Sequence, residues 1–562
     1  MKNKKRNKDT LECVRKSGIS KVIQRVSATR QSIAQNNRSF IRNYIIVFTI
    51  FIVFVMAYYI LFPSGAFMHA DSVDTLMWAQ ASYDAGALFN PDFTYAALFP
   101  FGGQLLMLPL IAIFGVTMKA QIIGMLLFFI LFVLSLLFML KQLNWGPGWS
   151  CLAVTCMLLV LSVSEKLREI FWGHIIYYSL GIFFMLVGLG LIFKAWNALK
   201  DYGTKRDFIT CVTGIFIWFT LTATNQMEAL TLFIVPAIGA LICERFFTFK
   251  GTLTQKEKKG NFIIIIATIL AAALGCVLGN ILKNGMAAGY ATAYSNFSSP
   301  DDWFKHLSLF LSHWTTLLGF NAAEGDPIFS ADGIMNLLRI IVSLILIVAP
   351  IAATLLFSRI KDRGFRLIIL YHWIMTTLIM MGYVFGALSA ANWRLSPIVG
   401  TAVLVTIMLC RWIYKATEVK RLVLIMMIPI LMVGMGTIQA IFNMPADYKH
   451  HPLLSSVSST LKENDLTYGY ATFWNANVLT VLSNSEAKVR NINLDETTYS
   501  RSLYQSQGKW YDDQPGQESY FVLASTHEYN LMNKSNHQLI IKAKKTIPLE
   551  GYYILVYDEN IF

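Results

Sequence analysis

Charge is what this sequence has least of. Only 14% of its 562 residues are Asp, Glu, Lys or Arg, against 55% hydrophobic ones, and the mean hydropathy is +0.51. That balance excludes an ordinary soluble domain. Cysteine is also sparse. The seven copies, Cys13, Cys151, Cys156, Cys211, Cys243, Cys276 and Cys410, fall in a basic N-terminal segment or in apolar runs, and none lies in the polar C-terminal region. This excludes a disulfide framework and zinc-site spacing. There is no Walker loop, no GxGxxG after a strand and no HExxH, so an energy source from cytoplasmic nucleotide has no support. Repeats, low-complexity tracts and a two-fold pattern among the apolar segments are missing too.

What is present is a series of apolar runs, each of about 17 to 25 residues and able to cross a bilayer as a helix. They fall at 43–62, 120–140, 149–163, 179–197, 208–224, 228–245, 261–281, 340–357, 367–387, 397–414 and 421–441. A further stretch, PFGGQLLMLPLIAIFGVT at 100–117, is short for a span and carries Pro109 and three glycines. If it does not cross, later loops on the N-terminal side hold eighteen Lys or Arg and loops on the other side six; crossing would swap these totals. Positive loops stay in the cytoplasm. The stretch is therefore expected to be interfacial or re-entrant on the outer face.

The net charge of +14 is concentrated in residues 1–42, with 12 Lys or Arg against Asp9 and Glu12. Ahead of a span this reads as a cytoplasmic tail, either meeting anionic lipid or only fixing orientation, and not as a nucleic-acid face. The first span has no small-residue cleavage site and is expected to stay as a signal anchor. After 442 the composition turns polar. LTYGYAT, AKVRNINL, SYFVLAS and GYYILVY alternate with a helical NANVLTVLS, the pattern of an α/β domain. The expected fold is mainly α: a polytopic membrane protein of the cell membrane with about eleven transmembrane helices, outer surface helices and a small C-terminal α/β soluble domain. Its parts are a basic cytoplasmic tail (1–42), a transmembrane domain (43–442) with a first outer loop at 63–119, and an extracytoplasmic domain (443–562).

The polar chemistry clusters in outer loops. In MHADSVDTLMWAQ, residues 68–80, helical spacing puts Asp71, Asp74, Thr75 and Trp78 on one face, with Val73, Met77 and Ala81 opposite, on lipid or on neighbouring spans. A partly desolvated carboxylate at the water boundary moves toward the pKa of a useful base; the plainer alternative is a solvated loop acid. His69 is near enough in sequence to Asp71 and Asp74 to leave a divalent metal open. The loop SEKLREIFWGHIIYYSLG gathers Glu165, Lys166, Arg168, Glu169 and His174 among Phe171, Trp172, Tyr177 and Tyr178, either as an interfacial belt with snorkelling cations or as a site. Arg394 in SAANWRLSPIVG is the only charge between two apolar spans. It suits a phosphate, held by two parallel hydrogen bonds, or an outer-loop acid. Asn225, Gln226, Glu228, Asp301, Asp302, His306, His313, Glu324, Asp326 and the sequons at Asn296 and Asn533 are weaker signals.

This layout, from about 43 to 441, resembles the GT-C superfamily of membrane glycosyltransferases, which includes polyprenyl-phosphate-mannose protein mannosyltransferases and lipid A aminoarabinose transferases. Asp71 resembles the acid that opens the family's first outer loop. Pro91 to Met118 looks like its non-crossing surface helices, and Trp393, Arg394 and Pro397 resemble its late arginine motif. Phe99, Pro100 and Phe101 stand where the family often has lysine and prolines. The resemblance implies inverting transfer of a sugar from a polyprenyl-phosphate-linked donor to an acceptor (glycan, polymer, lipid or protein) on the outer face. It makes Asp71 the general base and Asp74, Glu165 and Glu169 the candidate second acids. Arg394, Arg168, Lys166 and His174 become the candidate ligands of the donor phosphate. A transporter or flippase is the rival from another class, although the spans carry little charge in their centres. A non-catalytic partner in an envelope assembly is a second.

Overall fold

A computed structural model describes residues 39–200, 204–247, 253–289 and 296–562. The basic tail up to residue 38, with Cys13, lies outside the described residues.

Ten described helices are each long and apolar enough to cross a membrane, from Ser39–Leu61 to Arg421–Phe442, and an eleventh crossing arises if a bent pair counts as one. That pair is Pro147–Val160 and Glu165–Gly173, set at 116° to each other. Each of the eleven apolar runs coincides with one of these helices. Some helices extend further into polar sequence: the span expected from 340 begins at Ala331, and the one expected from 397 begins at Asn392. The stretch 100–117 forms only the helix Gln104–Phe114, with Pro109 inside it and Gly115 ending it at φ 66°. Eleven residues rise about 16 Å, roughly half the hydrocarbon core. The chain is a polytopic membrane protein with a small strand-containing C-terminal domain.

Since successive spans alternate, the loops around Tyr95, Phe101, Asn225, Ala287 and Phe385 meet at one end of the bundle. The Phe101 amide donates to Asn225 Oδ1 at 3.0 Å, and Asn225 Nδ2 donates back to Phe101 O at 2.9 Å. Tyr95 N donates to Ala287 O, and Ser298 N to Phe385 O. At the opposite end Glu244 is buried between Arg363 and Arg366.

Lys205–Ala223 and Gln255–Lys283 pack with backbones in near contact. A Cβ on Gly275 would fall 2.3 Å from Thr220 O, and one on Gly279 would fall 2.5 Å from Thr224 O. Small residues four apart allow this approach where lipid gives no hydrophobic drive for association. Gly275→Ile is expected to force the pair apart, at a cost of about 1–3 kcal/mol, seen as a lower thermal midpoint of the detergent-solubilised protein. Gly285→Ala, where a Cβ meets nothing within 4 Å, tests strain alone: it has φ 76°.

The C-terminal domain has one six-stranded sheet and shares one two-stranded sheet with the first loop. Strands are numbered along the chain: β1 Phe93–Thr94, β2 Tyr468–Ala471, β3 Lys488–Leu494, β4 Tyr499–Arg501, β5 Ser506–Gln507, β6 Tyr520–Ser525, β7 Lys545–Leu549 and β8 Tyr552–Tyr557. The large sheet runs β4-β3-β2-β6-β8-β7. Its centre, β3-β2-β6, is parallel and its margins antiparallel. β2 is buried throughout, as a central strand covered on both faces requires. All four expected strand runs and the helix Phe473–Leu482 are present. β1 pairs with β5, Phe93 opposite Gln507, which joins the first loop to the domain. Met118 N to Asn484 Oδ1 and Ser485 Oγ to Val116 O add two further ties.

Candidate functional site

Where the domain meets the loops, a cavity of about 370 Å³ opens. Four pieces of chain wall it. From the first loop come His69, Asp71, Asp74 and Trp78. The expected single helix is here a 3-10 turn, Ala70–Val73, leading into the α-helix Asp74–Ala85. Asp71, Asp74 and Trp78 share the cavity, but Thr75 does not line it and lies against the Gly103 backbone position. Val73, Met77 and Ala81 are buried within the protein.

The second piece starts at the sharp bend after Val160. Ser164 caps Leu167 N at 3.2 Å and donates to Leu317 O at 2.7 Å. The short helix Glu165–Arg168 then widens into a π-turn, Glu169–Gly173, a conformation frequent at functional sites. Trp172 anchors it, donating to Ser162 Oγ at 2.8 Å with its ring edge-on to Phe129 and Phe132. Gln121 Nε2 links both pieces by donating to Ser72 O and Gly173 O. Glu165, Lys166, Glu169, His174, Tyr177 and Tyr178 thereby reach the cavity. Trp393 forms the third wall, and Trp474 and Tyr504 of the C-terminal domain form the fourth.

Glu169 is the electrostatic hub. Its Oε1 lies 3.1 Å from His69 Nε2 and 3.6 Å from His174 Nε2, and its Oε2 lies 2.5 Å from Lys166 Nζ. Burial alone would raise the carboxyl, but the contacts with His174 and His69, and their charge, hold it well below the usual carboxylate range. Lys166 Nζ also sits 4.7 Å over the Trp393 ring, where a cation is attracted by the ring quadrupole. Asp74 is shifted the other way. Burial raises its carboxyl well above its ordinary value, and the neighbouring Asp71 adds to this, while the nearby side-chain amide of Gln505 offsets part of it.

Two candidate cations lie outside the wall. Arg168 donates to Ser162 O at 2.9 Å and stands over the Tyr59 ring. Arg394 is buried and its charge acts on the hydroxyl of Tyr177, a ring that does line the cavity. Among the described residues no group of three His, Cys, Asp or Glu has metal-binding geometry; His69 turns to Glu169.

No family model matches this sequence, and no curated protein does. Among solved structures the chain is similar to the Archaeoglobus fulgidus oligosaccharyltransferase, crystallised in complex with Zn and sulfate, at 10% identity and a TM-score of 0.39. The match covers 82% of this chain and 62% of that one, so this chain spans less than two thirds of that protein's length.

Three site residues escape the sequence reading. Gln505 accepts from Trp78 Nε1 at 2.5 Å, and its backbone is held at φ 55° by bonds to Thr94 O and from Asn477 Nδ2. Trp474 and Tyr504 come from the same domain. The only local signal is a tryptophan opening the helix in ATFWNANVL; the rest depends on pairing across some four hundred residues.

The Asp74 shift has a sign that can be measured. A carboxyl whose folded pKa is raised favours the folded state at low pH, and that contribution falls away as pH rises past the unfolded value of about 3.9. Asp74→Asn removes the penalty of a buried charge. Its thermal midpoint is expected to exceed wild type at pH 7, with the margin shrinking toward pH 4. A margin independent of pH would contradict the buried-acid assignment.

Proposed function

We propose that this protein is a membrane glycosyltransferase that moves a sugar from a polyprenyl-phosphate-linked donor to an acceptor on the outer face of the cell membrane. The observation that carries this reading is the cavity itself, which Asp71, Lys166 and His174 line together at one end of the helical bundle. The acceptor hydroxyl attacks the anomeric carbon as its proton passes to Asp71. The bond from that carbon to the phosphate oxygen breaks on the opposite face, and the electron pair leaves with the phosphate. Inversion follows. The growing phosphate charge is met by Lys166, freed from Glu169 as the donor binds, with His174 and Arg394 as further donors to it.

The spacing of charges supports this division of work. Glu169 gathers Lys166 and the two imidazoles at the cavity before the donor binds, so the groups that meet the phosphate start beside it. Radiolabelled polyprenyl-phosphate sugars incubated with the purified protein test the reading through loss of label from the lipid. No Asp71-dependent turnover with any donor would sink it. A transporter would instead move labelled lipid across proteoliposomes with the sugar still attached.

A further inference from the structure

We infer that the acceptor is a carbohydrate, seated on the wall that the C-terminal domain turns to the cavity, with Trp474 and Tyr504 as the rings it stacks on. This rests on the proposed sugar transfer and names its acceptor class. The two sides of the cavity differ in chemistry. Every Asp, Glu, Lys and His of its lining, the acids Asp71, Asp74, Glu165 and Glu169 with Lys166, His69 and His174, comes from the membrane portion. The domain contributes two aromatic rings and no charge. The donor's phosphate therefore has a charged partner only on the membrane side, where Lys166 stands, and the domain side is left for a neutral partner with apolar faces.

The rings are built for this. Trp474 is 59% exposed although Ala476 to Leu482 of the same helix are buried. With the His69 ring 6.3 Å away, centroid to centroid, a large ring this open at a cavity wall offers a contact surface to a ligand. It is not loose: Phe473 packs edge-on against both Trp474 and Tyr504, with ring centroids 5.2 Å apart in each case. A pyranose carries C–H bonds on its faces and hydroxyls on its rim. Its face matches an indole or phenol ring, and its rim can donate to Asp71 and Glu165 across the cavity.

The test uses the full-length protein in a sugar-free detergent, titrated calorimetrically with oligosaccharides of glucose, galactose, mannose and N-acetylglucosamine. Saturable binding of at least one is expected, weakened about tenfold by Trp474→Ala and largely restored by Trp474→Phe. Since Trp474 is exposed, its loss leaves folding intact, and Tyr504→Ala gives an independent reading. No saturable binding to any probe, or binding indifferent to both alanine variants, overturns the inference. Binding without turnover would leave it standing and remove the transfer reading. Turnover onto a non-carbohydrate acceptor would do the reverse.

Discussion

Asp71→Asn is expected to lower sugar transfer by about 10²–10⁴-fold, the usual contribution of a positioned general base, without lowering donor affinity to a comparable degree. The amide keeps the size and polarity of the carboxylate but cannot take the acceptor proton. Asp74, three residues on, is the obvious substitute. Burial, with the charge of Asp71 beside it, favours its protonated form, and that form cannot take the acceptor's proton. Asp74→Asn should therefore cost much less than Asp71→Asn. The two variants measured side by side, with kcat separated from KM, decide the assignment. Equal losses would mean that the pair titrates as one unit, and a larger loss at Asp74 would move the base to that residue.

Much of this arrangement is legible from the chain because membrane helices advertise themselves. Runs of about twenty apolar residues have one stable outcome in lipid, and loop charge excludes the short run at 100–117 as a crossing. The strands of the C-terminal domain are legible for a similar reason: YFVLAS and YILVY are β-branched and aromatic runs bounded by turns. The site is legible only in part. Asp71, Lys166 and His174 stand out because charge is rare in this sequence. How Asp71 and Asp74 differ does not, since it depends on what covers each. Asp74 is buried under Gln505, and the register that puts Gln505 there is set by β1 pairing with β5. A two-residue strand has no periodicity to read. The 3-10 turn before Asp74, which sets where Asp71 sits relative to the helix, is equally silent.

The second large effect is expected far from the cavity. Glu244 is 1% exposed and carries two arginines, Arg363 at 2.8 Å and Arg366 at 3.5 Å, with the Arg363 guanidinium 3.7 Å over the Trp196 ring. Glu244→Ala leaves two cations sharing a buried space, and removal of one partner from such a group costs about 3–5 kcal/mol. The thermal midpoint should fall by several degrees, measured in detergent micelles or nanodiscs. Glu244→Gln, which keeps an acceptor oxygen, should lose less. The decisive comparison adds Arg366→Leu to Glu244→Ala. If the loss comes from uncompensated charge, removing one of the stranded cations restores part of it, because replacing a buried ionic group by apolar side chains is often neutral. If it comes from packing around Trp196, the second substitution deepens it. Since this cluster lies at the end of the bundle opposite the cavity, sugar transfer per folded molecule should stay near wild type. Loss of stability with intact turnover would mark Glu244 as a structural clamp between the spans Met227–Phe246 and Arg363–Phe385. Lost turnover in a fully folded variant would instead couple the two ends of the bundle.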